Sequence, residues 1–264
     1  IQLQICTIDM RCIGLALVSS FLDHAKTSKT NKIIETRERK PILFFLNSLV
    51  VHTLRIPYNV LTRQNLKYFL PRIPKLKQLH TLDLSCNFID FRLNQTDLIE
   101  FCQVLSELKF LKHLSLSGSP ITGRLDSILN AIDHSLDILN LDFCSLNEND
   151  LISLNQMSTR HQFVHLDLST NRLNRFMRQL LIVLMKQTRL VVLDLDFNRF
   201  SSNDYLDLIA CCQRLSTLKS LSVRGPISLT TQLAAATFIG EHYANLCLWK
   251  IASPIEYSLN RFIG

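Results

Sequence analysis

Apolar residues recur along this chain in a fixed form, L-x-x-L-x-L-x-x-N-x-L, with polar residues between the closely spaced leucines. VHTLRIPYNVL (51–61), LHTLDLSCNFI (79–89) and LKHLSLSGSPI (111–121) fill it, as do LDILNLDFCSL (136–146), FVHLDLSTNRL (163–173) and LVVLDLDFNRF (190–200). In a chain that is 47% hydrophobic, a segment placed at random fills all four apolar positions about one time in twenty. Six successive matches are therefore a repeat. The second leucine falls at Leu54, Leu82, Leu114, Leu139, Leu166 and Leu193, at intervals of 28, 32, 25, 27 and 27 residues. Weaker copies put Leu221 in LKSLSVRGPIS (218–228) and Leu246 in YANLCLWKIAS (243–253). Upstream, LQICTI around Leu3 predicts one more strand.

Each L-x-L predicts a short strand with both leucines pointing inward and the residue between them pointing out. The ninth position holds Asn59, Asn87, Asn171 and Asn198, whose side chains can bond the backbone where the chain leaves the strand. Cys144 and Ser119 are expected to substitute there, being small and able to hydrogen-bond, whereas Pro226 has no N–H to donate and marks a distorted repeat. Between strands the spacing turns helical, with Leu98, Phe101, Leu105 and Leu108 on one face and Leu125, Ile128, Leu129 and Ile132 on another. Asn94 to Asp97 and Asn203–Asp204 predict helix starts. Stacked units of this kind form an α/β solenoid, with parallel strands on the concave face and helices on the convex one. We expect a single domain over 1–264, with firm repeats over 51–217, weak or capping repeats over 1–50 and 218–264, and an inserted basic loop at about 25–41.

Units of 25 to 28 residues with full helices resemble the ribonuclease-inhibitor class of leucine-rich repeats, over residues 51–228. That resemblance implies a horseshoe, and is similar across NOD-like receptor sensor domains, activators of Ran-type GTPases and actin-regulating scaffolds. A partial second resemblance rests on Cys144, on LNENDLISL (146–154) and on Cys212 ahead of Leu215, which look like the repeats of F-box substrate receptors. The sequence contains no F-box.

Composition narrows the class further. Only 6 glycines and 7 prolines occur among 264 residues, so few loops depend on glycine. The apolar runs 12–22 and 42–51 fall short of the roughly 18 to 20 residues that span a bilayer. The first follows Arg11 as a signal peptide would, but Asp9 precedes it and it also reads as a repeat helix. The first residue is Ile1 rather than Met, so the natural ends and any neighbouring domain lie outside what this sequence defines. The 8 cysteines are scattered, without the end clusters of disulfide-capped repeats, which points to a reducing, cytoplasmic compartment.

Catalytic motifs are absent: no P-loop, no G-x-G-x-x-G, no G-x-S-x-G and no H-E-x-x-H. His161 and His165 are four apart but straddle a loop and a strand start, a poor metal pair, and Cys211–Cys212 reads as a core residue beside a surface one. We expect no enzyme activity, no metal and no cofactor.

The informative positions face out between the paired leucines, as at Asp167 and Asp194, and just after the second leucine, as at Asp142 and Asp196. Asp142, Asp167, Asp194 and Asp196 fall on neighbouring strands, and like charges this close are unfavourable unless compensated. L-D-L-S is also simply common in such repeats. Arg224 and the sole tryptophan, Trp249, fall at one end of this stripe, and residues of these types anchor interfaces, although Trp249 serves equally well as an end cap. Residues 26–77 carry +10, and the rest of the chain sums to −3. That stretch could attract nucleic acid or anionic membrane, yet it matches no nucleic-acid motif, and a solvated loop is the simpler reading.

The sequence thus predicts a non-catalytic module that binds a protein, one with a basic surface, on the concave face through Asp142, Asp167, Asp194, Asp196, Arg224 and Trp249. Alternatives are a substrate receptor of a cullin-type ubiquitin ligase and a GTPase-activating regulator of the Ran type.

Overall fold

The structure is a computed structural model that describes residues 5–9, 50–59, 61 and 63–225. The apolar run 12–22, the basic loop at about 25–41, the repeat at 243–253 and Trp249 lie outside the described residues.

Among the described residues eight strands form one sheet in sequence order, every neighbour pair parallel. They are β1 (Ile5–Asp9), β2 (Val50–Arg55), β3 (Thr81–Asp83), β4 (His113–Ser115), β5 (Ile138–Asn140), β6 (His165–Asp167), β7 (Val192–Asp194) and β8 (Ser220–Ser222). The register follows the repeat, with Leu54, Leu82, Leu114, Leu139, Leu166, Leu193 and Leu221 side by side. The first six of these leucines are wholly buried, which is what fixes the register, since a slip of one residue would turn every leucine to solvent. The strand expected near Leu3 is β1, and a shift between Cys6 and Thr7 breaks its pairing with β2. Parallel bonding runs on past the short strands, as from Leu141 N to Asp167 O (2.8 Å) and from Phe143 N to Ser169 O (3.0 Å).

Helices return the chain from one strand to the next: α1 (Arg63–Phe69), α2 (Gln95–Glu107), α3 (Leu125–Asn130), α4 (Glu148–Gln156), α5 (Met177–Met185) and α6 (Ser202–Cys212). Their buried faces are the ones the spacing marked, Leu98, Phe101 and Leu105 on α2 and Leu125, Ile128 and Leu129 on α3. Asn94 caps α2 by accepting from Thr96 N, as expected. The start of α6 lies earlier than expected, because Ser201 and Asp204 form a reciprocal capping box. After α1 the chain tightens into a 3-10 turn, Leu70–Lys75, where Pro71 and Pro74 lack the N–H groups that an α-helix needs.

The ninth-position side chains form a ladder along the solenoid. Asn171 donates from Nδ2 to Leu141 O (2.8 Å) and Ser169 O (2.7 Å), while its Oδ1 accepts from Cys144 N (3.0 Å) and Leu146 N (3.1 Å). Asn198 repeats this one turn on, accepting from Asn171 N at 2.9 Å. Cys144 substitutes as predicted, its Sγ donating to Leu116 O at 3.2 Å. Ser119 does not: its hydroxyl is buried without a hydrogen-bond partner. The Ser119 side chain is too short to reach across the turn, and its own N–H closes the turn on Leu116 O instead (2.9 Å).

On either side of the ladder the backbone is left-handed at non-glycine residues. Cys86, Phe143, Thr170 and Phe197 precede it, with φ of 54°, 53°, 57° and 59°, and Phe88, Ser145, Arg172 and Arg199 follow it, with φ of 55°, 56°, 59° and 62°. Such a conformation costs roughly 1–2 kcal/mol per residue. The buried ladder bonds hold it in place.

Candidate functional site: an acidic pocket on the strand face

Parallel register sets the residues between the leucines in one row, Arg55, Asp83, Ser115, Asn140, Asp167, Asp194 and Ser222. Part of this row works for the backbone. Asp83 Oδ1 accepts from Ser85 N (3.0 Å), Asn140 Oδ1 from Asp142 N (2.9 Å) and Asp167 Oδ1 from Ser169 N (3.0 Å). An aspartate or asparagine two residues ahead of an N–H is an Asx turn, and it explains why the repeats favour L-D-L-S and L-N-L-D.

Over β5–β8 the row and its neighbours line an open pocket of about 460 Å³, whose walls include Asp142, Asp167, Asp194, Asp196, Phe197 and Arg224. All five described residues predicted for partner binding line it together.

Their negative charge is compensated unevenly. Asp196 is buried, and its Oδ1 accepts from Arg224 N (2.7 Å) and Ser222 Oγ (2.8 Å). Its Oδ2 accepts from Arg224 Nε and lies against Nη2, both at 2.6 Å. The same guanidinium sits 5.4 Å from the centre of the Phe197 ring. Asp194 Oδ2 lies 2.9 Å from His165 Nε2. Among the described residues Asp142 Oδ2 accepts from the neutral Ser117 hydroxyl, at 3.2 Å, and from no cation. Burial pushes the Asp167 carboxyl up to about 6, with a further push from the Asp142 and Asp194 charges on either side. The four carboxylates thus coexist because one is neutralised by arginine, one faces histidine and one holds its proton more tightly.

Sequence reasoning missed Phe197 in this pocket and His165 beside its Asp194 wall. The L-x-L alternation gives no sign of Phe197, which reaches the site through its left-handed backbone. The four-residue spacing pairs His165 only with His161, and the structure separates the two rings. The His161 ring is buried, accepting from Leu136 N (3.4 Å) and meeting Leu129 O at 3.2 Å. Cys211 and Cys212 correct another expectation, because both are buried rather than one facing solvent. Cys212 packs into the core and Cys211 against the preceding repeat, near Leu181 O. Among the described residues no cluster of three or more His, Cys, Asp or Glu side chains could hold a metal ion. None of their helices is long and apolar enough to cross a membrane.

A parallel sheet with one helix or tight turn per strand, a buried leucine row and an asparagine ladder defines a leucine-rich-repeat solenoid. Within that class the chain belongs to the family of the PRAME C-terminal domain, which it matches over residues 45–247. It is 32% identical over 148 residues to leucine-rich repeat-containing protein 14 of Xenopus laevis, covering 54% of this chain and 29% of that protein. It is 29% identical over 194 residues to human PRAME family member 20, covering 71% of this chain and 40% of the relative. The chain therefore spans less than half the length of either.

Proposed function

We propose that this chain is a non-catalytic protein-recognition module whose strand face receives cationic side chains of a partner protein. The observation that carries the reading is the convergence of Asp142, Asp167 and Asp194 from three successive repeats on one pocket, beside a wall formed by the Asp196–Arg224 pair and Phe197. Asp142 has no cation among its described partners, and Asp167 has none either, so an incoming lysine or arginine would supply the missing compensation. Family and fold support a protein-interaction role, since such solenoids present extended surfaces built from exposed repeat positions. Trp249 is proposed as part of the same surface, from its place in the repeat pattern alone. The thiols of Cys86, Cys102, Cys144, Cys211 and Cys212 are free, in keeping with a reducing, cytoplasmic setting.

The test is affinity capture followed by mass spectrometry, comparing the wild type with an Asp142→Asn/Asp167→Asn/Asp194→Asn variant whose fold is checked by circular dichroism. Partners lost only by the variant support strand-face recognition. Partners retained in full would overturn it. The narrower roles of cullin-ligase receptor and Ran-type activator rest on repeat resemblance. The first predicts a ligase subunit among the captured proteins, the second a GTPase whose hydrolysis rate rises when the chain is added.

A further inference from the structure

On the helix side of the first described repeats, a groove of about 530 Å³ runs between the Leu70–Lys75 turn and α2. Its floor is apolar, made by Leu70, Pro71, Pro74 and Val104, and one wall carries Lys67, Lys75 and Lys77. The segment 63–77 that builds this wall holds Arg63, Lys67, Arg72, Lys75 and Lys77 and not one acid. Across the groove, α2 presents Glu100 and Glu107. Lys77 meets Glu107 at 3.5 Å, and nearby Arg63 meets Asp97 at 3.6 Å. Among the described residues Lys67 and Lys75 have no ion-pair partner.

We propose that this groove docks a short acidic segment of a partner protein, one that sets apolar side chains on the proline-lined floor and carboxylates against Lys67 and Lys75. Three features favour a peptide over a polyanion or a lipid surface. The floor offers apolar contact that a phosphate backbone cannot use. Glu100 and Glu107 would repel a uniformly negative ligand, whereas a peptide can be acidic on one side only. Pro71 and Pro74 hold φ fixed, so the floor is formed before binding and little ordering is needed. The site is built from helices and a turn, and shares no residue with the aspartate pocket.

A random dodecapeptide display library, selected on the whole chain, tests this. We expect clones that combine Asp or Glu with Leu or Phe and that are lost on a Lys67→Glu/Lys75→Glu variant with unchanged circular dichroism. A selected peptide, synthesised and labelled, should bind the variant at least about tenfold more weakly, a loss of roughly 1.4 kcal/mol. Replacing its acids by lysine should restore binding to the variant. Asp142→Asn/Asp194→Asn should leave this binding unchanged, which separates the groove from the strand-face reading. Selection that yields no lysine-dependent clones, or clones without acids, would overturn the proposal. So would heparin or phosphatidylserine vesicles binding through these lysines while the acidic peptides do not.

Discussion

The Asp196 carboxylate holds Arg224 at three points, its backbone N–H (2.7 Å), Nε (2.6 Å) and Nη2 (2.6 Å). These residues come from successive repeats, so the bond joins the β7 repeat to the β8 repeat from the strand side, while Leu193 and Leu221 join them from inside. One carboxylate thereby satisfies a backbone donor and a guanidinium, and the acid would otherwise stand buried and uncompensated.

Asp196→Ala should therefore destabilise the β8 end of the solenoid. The Arg224 side chain is 37% exposed, so water screens part of the pair, and the expected loss is about 1–2 kcal/mol. Arg224→Lys should recover only part of it, because an ammonium cannot reproduce the two side-chain contacts. Urea unfolding gives the values. An Asp196→Ala midpoint equal to wild type would mean that the clamp does not secure this repeat.

The ladder predicts a contrast between two buried polar residues. Asn171→Ala removes bonds to three carbonyls and two N–H groups and strands Leu141 O, Cys144 N and Leu146 N, for an expected cost of about 2–4 kcal/mol. Ser119→Ala removes a hydroxyl that bonds nothing, and should be neutral or stabilising by up to about 1 kcal/mol. Equal losses at the two sites would contradict the ladder as drawn.

Strand register and helix faces were legible because burial imposes a period, and the leucines display it without interruption from Leu54 to Leu193. The aspartate pocket was legible for the same reason, since the parallel register carries the residues between leucines to one face. What stayed hidden depends on bonds between repeats. Nothing in the chain order links Asp196 to Arg224 or Asp194 to His165 as bonded pairs. Asp150 is the clearest case. Nothing in LNENDLISL sets it apart from its polar neighbours, yet it is fully buried and accepts from Asn147 N (2.9 Å) and, a repeat earlier, from Gly123 N (2.9 Å) and Leu125 N (3.2 Å).

Asp150 should accordingly be among the most sensitive polar positions in the described repeats. Asp150→Ala strands three backbone donors, two of them in the neighbouring repeat, and is expected to cost about 2–4 kcal/mol in urea unfolding. Asp150→Asn keeps one acceptor oxygen and should fall between the two. A loss under about 0.5 kcal/mol, typical of a surface substitution, would show that these bonds matter little.

The last prediction concerns pH. Asp167 holds its proton up to about 6 in the folded chain, against about 3.9 for an unfolded aspartate. Between those values the folded state binds more protons than the unfolded one, so its contribution to stability falls as pH rises through the interval and is level on either side. The same titration adds a negative charge to the pocket as pH passes about 6, between Asp142 and Asp194. A cationic partner should then bind more tightly at pH 7 than at pH 5. The decisive quantity is the difference between wild type and Asp167→Asn. The variant keeps the Oδ1 bond to Ser169 N and cannot ionise. It should lack this part of the stability slope and of the rise in affinity. If both profiles overlay those of the wild type, Asp167 does not titrate between pH 5 and pH 7, and the pocket keeps one charge state throughout.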